Sequence, residues 1–229
     1  MIQSDVVDTD DGPLTIQPIN HASLALLWKD LCILVDPTGP ASRFAGLPPA
    51  NLIVFTHQHG DHFNKETLAA LAGSGTAIIC PRVVMNELSG ELHDRARLIA
   101  AGESTTFGEI GVEALPAHNI TPERLKFHPP EMGGVGYVLD FAGTRLYVSG
   151  DTEDTPEMRS LTGIDIAFLP MNMPYTMTGA QAADAVMAFR PRIVYPFHYS
   201  DGVEHEIFDG LLRQFDGTEV RIRDWYAEG

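Results

Sequence analysis

Cysteine and tryptophan occur only twice each in 229 residues, and 15 basic residues face 31 acidic ones. Two thiols cannot build a disulfide framework, so stability must come from a core. At 44% hydrophobic content, a chain of this length can bury a large one. Cys32, within Leu31-Cys32-Ile33-Leu34-Val35, and Cys80, closing Ala77-Ile78-Ile79-Cys80, read as buried strand residues. The formal charge of −16 opposes a polyanionic partner, because nucleic acid is held mainly by cationic contacts. No uninterrupted apolar run approaches the roughly 20 residues of a membrane span. Met1 to Gly12 have neither the basic n-region nor the apolar h-region of a signal peptide. Nucleic-acid and membrane partners are therefore not expected, and the expected location is cytoplasmic. Nothing in the sequence indicates an oligomeric state.

Histidine, by contrast, is concentrated where metal chemistry could use it. The run Thr56-His57-Gln58-His59-Gly60-Asp61-His62 directly follows the apolar stretch Leu52-Ile53-Val54-Phe55. Four potential ligands thus sit at the end of a predicted buried strand, where the chain must turn. Neutral imidazole and carboxylate suit zinc and neighbouring first-row ions. Continued strand geometry would send His57, His59 and Asp61 to one face and His62 to the other. A tight turn would instead pair His57 with His59 and Asp61 with His62. Two pairs suggest two ions, each needing ligands from further along the chain. A His-rich surface loop is the plainer reading of this segment alone, but further candidates stand at comparable places. His118 follows Gly111-Val112-Glu113-Ala114-Leu115-Pro116, Asp151 follows Arg145-Leu146-Tyr147-Val148-Ser149-Gly150, and His198 follows Arg192-Ile193-Val194-Tyr195-Pro196-Phe197. Each lies just past a predicted strand, where open α/β sheets gather their ligand sites. His93 and His205, set among charged residues, read as solvated.

Periodicity and breakers organise the rest. Strands are predicted over Leu14–Ile19, Ser23–Trp28 and Cys32–Val35, followed by a Pro/Gly-rich loop to Pro49. Asn64 and Gly73 bracket a helix over Lys65–Ala72. Thr76–Cys80 reads as strand and Arg82–Leu88 as a short helix, and strands near 96–100, 104–107 and 111–115 lead to His118. Residues 119–134 lack periodicity, contain Pro122, Pro129, Pro130, Gly133 and Gly134, and have the length of a lid or binding loop. Beyond them come strands over 135–141 and 145–149, a short helix near 156–160 and a strand over 165–169. A helix over Gly179–Phe189 carries Ala182, Ala185, Val186 and Phe189 on one side. A strand over 192–195, a helix over 206–215 and a last strand near 219–222 complete the chain. Strands and helices alternate in both halves, so an α/β fold is expected, with the halves as candidate pseudo-symmetric layers.

The HxHxDH pattern of His57, His59, Asp61 and His62, followed in order by His118, Asp151 and His198, resembles the metallo-β-lactamase superfamily. Asn20-His21-Ala22-Ser23, Ser149-Gly150-Asp151-Thr152 and Asp165-Ile166-Ala167-Phe168-Leu169-Pro170 look closest to the small bacterial branch that includes ascorbate-6-phosphate lactonase-like hydrolases. The resemblance spans nearly the whole chain. It implies a single domain over residues 1–229 with a four-layer αβ/βα sandwich. It also implies one metal site from His57, His59 and His118, a second from Asp61, His62 and His198, and Asp151 as the bridge. Asp61 and Asp151 are then the catalytic carboxylates, and the cofactors are two divalent ions, Zn²⁺ first and Mn²⁺ second. Such a pair would share a hydroxide and polarise a substrate oxygen. His128, within the loop after His118, is the alternative third imidazole.

The implied activity is hydrolysis of a small, anionic, ester-like substrate, a lactone or a phosphodiester, although the scaffold alone does not fix the chemistry. Two other classes stay open. One is a mononuclear-iron oxidoreductase resembling persulfide dioxygenases, which would use positions matching His57, His118 and Asp151. The other is a metal-stabilised binding protein with little turnover. His59 separates the chain from diiron relatives that carry glutamate there. Candidate substrate contacts are His21 at the first strand turn, His128, Asn172 and Tyr175 on the loop after strand 165–169, and Tyr199 beside His198. Asp36 ends a buried strand, where a carboxylate needs a partner such as a ligand imidazole or a backbone N–H.

Overall fold

The computed structural model describes residues 3–200 and 202–226; Met1 and Ile2, which open the Met1 to Gly12 stretch, lie outside the described residues. The chain forms two compact units, one running up to Ala100 and rejoined at Asp224, the other spanning Ala101–Arg223. Each unit contains one seven-stranded mixed sheet.

In the first unit, β1 (Asp5–Thr9), β2 (Gly12–Asn20), β3 (Ser23–Trp28) and β4 (Leu31–Val35) form an antiparallel meander. Then β5 (Leu52–Val54), β6 (Ala77–Cys80) and β7 (Ala96–Leu98) add in parallel beside β4. Parallel neighbours need crossovers. Helix α1 (Lys65–Leu71) supplies the one between β5 and β6; α2 (Arg82–Met85) and α3 (Gly90–Asp94) supply the next. Asn64 caps α1 as expected, its side chain accepting the Thr67 amide. Ile53, Phe55, Phe63, Leu68, Ile78 and Val84 belong to one buried cluster, which fixes β5, and with it the histidine-rich turn that follows, against α1.

Two elements were missed by the sequence reading. Strand β1 is short and half polar, with Val7 buried and Val6 exposed, so it carries little hydrophobic signal. Its readable sign was Asp11-Gly12, a hairpin dipeptide, with Gly12 at φ 101°. Helix α3 buries none of its residues and therefore shows no apolar face.

The second unit repeats this order. Strands β8 (Ser104–Phe107), β9 (Ile110–Pro116), β10 (Val135–Phe141) and β11 (Thr144–Val148) are antiparallel. Strands β12 (Ile166–Pro170), β13 (Ile193–Phe197) and β14 (Glu219–Val220) then add in parallel. The crossovers are α4 (Pro156–Arg159), α5 (Gly179–Phe189) and α6 (Glu204–Leu212). Every residue of β12 and β13 is buried, as a sheet covered on both faces requires. A reciprocal capping box between Thr178 and Gln181 starts α5 where the pattern placed it. The internal likeness is therefore one of topology: four antiparallel strands, then three parallel ones, in each unit. In both, the second and fourth strands end beside candidate site residues, His21 and Asp36 in the first unit, His118 and Asp151 in the second.

Both cysteines are fully buried, and burial pushes the Cys32 thiol to about 11 and the Cys80 thiol to about 12. The thiolate is the reactive form. In native protein at pH 8, iodoacetamide should leave both unmodified, and both should label once denaturant unfolds the chain. Fast native labelling of either would contradict its placement.

Candidate metal centre

In the first unit the site is built around Asp36. The residue directly after β4, it has φ 44°, a left-handed conformation that aspartate tolerates better than most residues. Its carboxylate is 1% exposed and fully engaged. Oδ1 accepts the Thr56 amide at 2.7 Å, and Oδ2 accepts the Thr56 hydroxyl at 2.6 Å and the His62 Nδ1–H at 2.8 Å. Because the Thr56 hydroxyl donates to Asp36, its oxygen accepts from His57 Nδ1, 3.0 Å away. One buried carboxylate thus directs the tautomer of two imidazoles, His62 directly and His57 through Thr56. Protons on both Nδ1 atoms leave both Nε2 lone pairs for a ligand role.

The turn itself is closed by the amides of His62 and Phe63, which both donate to the His59 carbonyl, at 2.9 and 2.8 Å. It gathers His57 with His59 and with His62, at ring separations of 4.7 and 4.1 Å. Asp61 also has a neighbour that neither sequence alternative named, His21. Its half-exposed carboxylate lies 3.2 Å from His21 Nε2. His21, at φ 53°, has its Nδ1 2.7 Å from the Tyr226 hydroxyl and donates its amide to the Trp225 carbonyl at 3.3 Å.

In the second unit the focus is Asp151. Its Oδ2 lies 3.2 Å from His128 Nε2 and 3.3 Å from His198 Nε2, and all three residues are buried. His128 Nδ1 donates to the Tyr175 carbonyl at 3.1 Å, so a neutral His128 turns its Nε2 lone pair toward the carboxylate. Acceptors facing each other at that distance repel unless a proton or a cation lies between them. With imidazole and carboxylate as the only donor types, the arrangement fits a divalent first-row ion. His118 is half-buried, and its Nδ1 lies 3.0 Å from the Asn119 carbonyl. Its amide donates to Thr152 Oγ1 at 3.1 Å, and its carbonyl accepts from the same hydroxyl at 2.9 Å. The loop after it is tied down: Asn119 donates its amide to the His128 carbonyl at 2.8 Å, and Pro130–Met132 form a 3-10 turn.

The remaining substrate candidates divide. Tyr175 is 45% exposed and packs edge-on against Phe127, whereas Asn172 accepts a hydrogen bond from the Ser200 hydroxyl. Tyr199 is buried, donates its hydroxyl to the Arg223 carbonyl and stacks on His205 at 4.3 Å. His205 is therefore half-buried rather than solvated, while His93 is exposed as expected. Three contributors escaped the sequence reading. Thr56 could have been suspected as a hydroxyl between a buried strand and His57. Tyr226 gave no local signal. Glu153 looked like any acidic loop residue, yet it is fully buried. Burial alone would lift its carboxyl, but donation from Thr121, Ile120 and Gln181 outweighs that and holds it below the ordinary value.

Residues 30–199 match the family model described as a β-lactamase superfamily domain. A UPF0173 metal-dependent hydrolase of Thermococcus kodakarensis is 30% identical across 80% of this chain and 83% of its own. Among solved structures, a protein of Parabacteroides distasonis aligns with a TM-score of 0.88 at 39% identity, covering 97% of this chain and 99% of that one. The metallo-β-lactamase fold protein YhfI of Bacillus subtilis gives a TM-score of 0.70 at 16% identity, over 89% and 88% of the two chains. The α/β sandwich class expected from the histidine motif is the class of these neighbours. No helix among the described residues is long and apolar enough to cross a membrane.

Proposed function

Because the chain belongs to the β-lactamase superfamily and to its UPF0173 metal-dependent hydrolases, we propose that it hydrolyses a small ester-like substrate with two divalent ions. The family pattern assigns His57, His59, Asp61, His62, Asp151 and His198 as ligands, within one metallo-β-lactamase-like domain over residues 1–229. His128 takes precedence over His118 as the remaining imidazole, because His128 is the one found against Asp151. The observation that carries the reading is the buried Asp36, which sets two imidazoles in the ligating tautomer. A carboxylate placed only to stabilise a turn would not need both.

When bound, such ions activate water and polarise the scissile oxygen. The chain's own groups orient and exchange protons. Asp36, Thr56 and the Tyr175 carbonyl keep the ligand rings from turning. Asp61, half-exposed and held by His21, is the carboxylate placed to accept a proton from solvent or substrate. Tyr175 and His21 are the polar side chains offered to a small anion. The net charge of −16 favours a compact phosphate or carboxylate over a nucleic acid. A lactone, as in the lactonase-like branch, or a phosphodiester is the favoured bond, Zn²⁺ or Mn²⁺ the favoured metal, and the cytoplasm the favoured location.

The test is metal analysis of purified, untagged protein followed by a panel of lactones, phosphodiesters and carboxylic esters. Two equivalents of zinc or manganese and chelator-sensitive hydrolysis are expected. One equivalent of iron with oxygen uptake would overturn the hydrolase reading, and metal without turnover would make the protein a binder. In the same assay His128→Ala should weaken metal binding about tenfold or more, and His118→Ala less. The reverse order would return His118 to the ligand set.

A further inference from the structure

We propose that the buried Glu153, paired with the half-buried Arg124, is a positioning device that sets where the His128 ring stands relative to Asp151. The proposal rests on the reading of His128 and Asp151 as metal ligands. Glu153 lies two residues past Asp151, so it is anchored to the segment that His128 must face. Its Oε2 accepts the amides of Ile120 at 2.7 Å and Thr121 at 2.6 Å. Its Oε1 accepts the Thr121 hydroxyl at 2.7 Å and the Gln181 amide at 3.2 Å, and it pairs with Arg124 at 2.8 Å. Only a group that accepts at both oxygens can satisfy five donors; a glutamine would turn its NH₂ toward some of them.

Arg124 extends the clamp to the other support of the ring. Its Nη1 also donates to the Thr176 carbonyl at 2.8 Å and lies 3.0 Å from Gln181 Oε1. The Tyr175 carbonyl beside Thr176 receives both His128 Nδ1 at 3.1 Å and Asn119 Nδ2 at 2.8 Å. Asn119 Nδ2 donates as well to the Arg124 carbonyl at 3.0 Å, and the Asn119 amide donates to the His128 carbonyl at 2.8 Å. His128 is thus held at its backbone by Asn119 and at its ring by Tyr175. Glu153 and Arg124 tie both holds to the segment of Asp151. Loop closure alone would need a few backbone hydrogen bonds. A charge enclosed between the two supports adds a defined separation, because shifting either segment leaves a buried ion without its partners.

The experiment is titration of metal-free protein with Co²⁺, followed by its visible absorption, on wild type, Glu153→Gln and Arg124→Lys. Thermal unfolding in chelator separates folding from metal geometry. Arg124→Lys keeps the charge while losing the planar fork, so it should melt near wild type, bind Co²⁺ about tenfold more weakly and shift the absorption band. Glu153→Gln should bind more weakly still. If Glu153→Gln does not fold, Arg124→Lys decides alone. Wild-type affinity and band shape in a folded Arg124→Lys would overturn the positioning role while leaving the metal centre standing. A wild type that binds no Co²⁺ would instead overturn the metal reading on which the proposal rests.

Discussion

Asp36→Ala should cost the protein both its metal and a large part of its stability. The substitution removes the acceptor of the Thr56 amide, the Thr56 hydroxyl and His62 Nδ1 at a position only 1% exposed. Each buried donor left unpaired costs about 1–3 kcal/mol, so a loss on the order of 3–5 kcal/mol is expected in the metal-free protein. Asp36→Asn is the sharper variant, since it keeps the shape. One amide atom must then present N–H groups to donors that need an acceptor. His62 would turn or change tautomer, and metal affinity should fall about 10- to 100-fold. Urea unfolding in chelator measures the first effect and Zn²⁺ titration the second. Wild-type affinity in Asp36→Asn would show that the imidazoles do not depend on this carboxylate.

Gly136→Ala should be nearly as severe by another route. A Cβ at this position in β10 would stand 2.6 Å from the Ser149 carbonyl oxygen and 2.9 Å from the Val148 oxygen. Those are main-chain atoms at the end of a paired strand, so the conflict cannot be relieved by a rotamer change. About 3 kcal/mol or more of destabilisation is expected, and the strain falls on the backbone two residues before Asp151. Metal binding should weaken together with stability. Gly60→Ala, inside the histidine-rich turn, is the contrast: nothing lies within 4 Å of the added carbon, and the backbone is outside the left-handed region. Denaturant midpoints should place Gly60→Ala close to wild type and Gly136→Ala far below it. Similar midpoints would mean that β10 and β11 separate more readily than their packing implies.

The regular parts of the fold were legible because burial imposes periodicity. Helix α5 is legible at its true limits from the small and apolar residues that share one face, and the structure adds the Thr178–Gln181 cap that starts it. Strands β3 and β10 are legible in full as continuous, largely apolar runs bounded by turn residues, because nearly every residue in them is buried. Elements that bury little, β1 and α3, gave no pattern to read. At the site, residue types were legible and partnerships were not. The histidine-rich run stood out as a candidate, and Asp36 could be expected to need an imidazole or an amide, both of which it has. No spacing rule says that Asp61 meets His21 or that His128 lies against Asp151, since those contacts depend on how loops close in space. Glu153 was illegible for a related reason: whether an acidic loop residue is solvated or enclosed depends on donors as distant in sequence as Gln181.

The return of the chain to the first unit has a consequence in time. All seven strands of that unit are present once Leu98 has been made, yet His21 meets the Trp225 carbonyl and the Tyr226 hydroxyl only after the whole second unit has been synthesised. At about 5–20 residues per second, translation between those points takes roughly 6–25 s. Until then His21 cannot make its contacts to the Trp225 carbonyl and the Tyr226 hydroxyl. A cut between Arg223 and Asp224 would spare every strand of the unit while severing the covalent link that brings Trp225 and Tyr226 to His21.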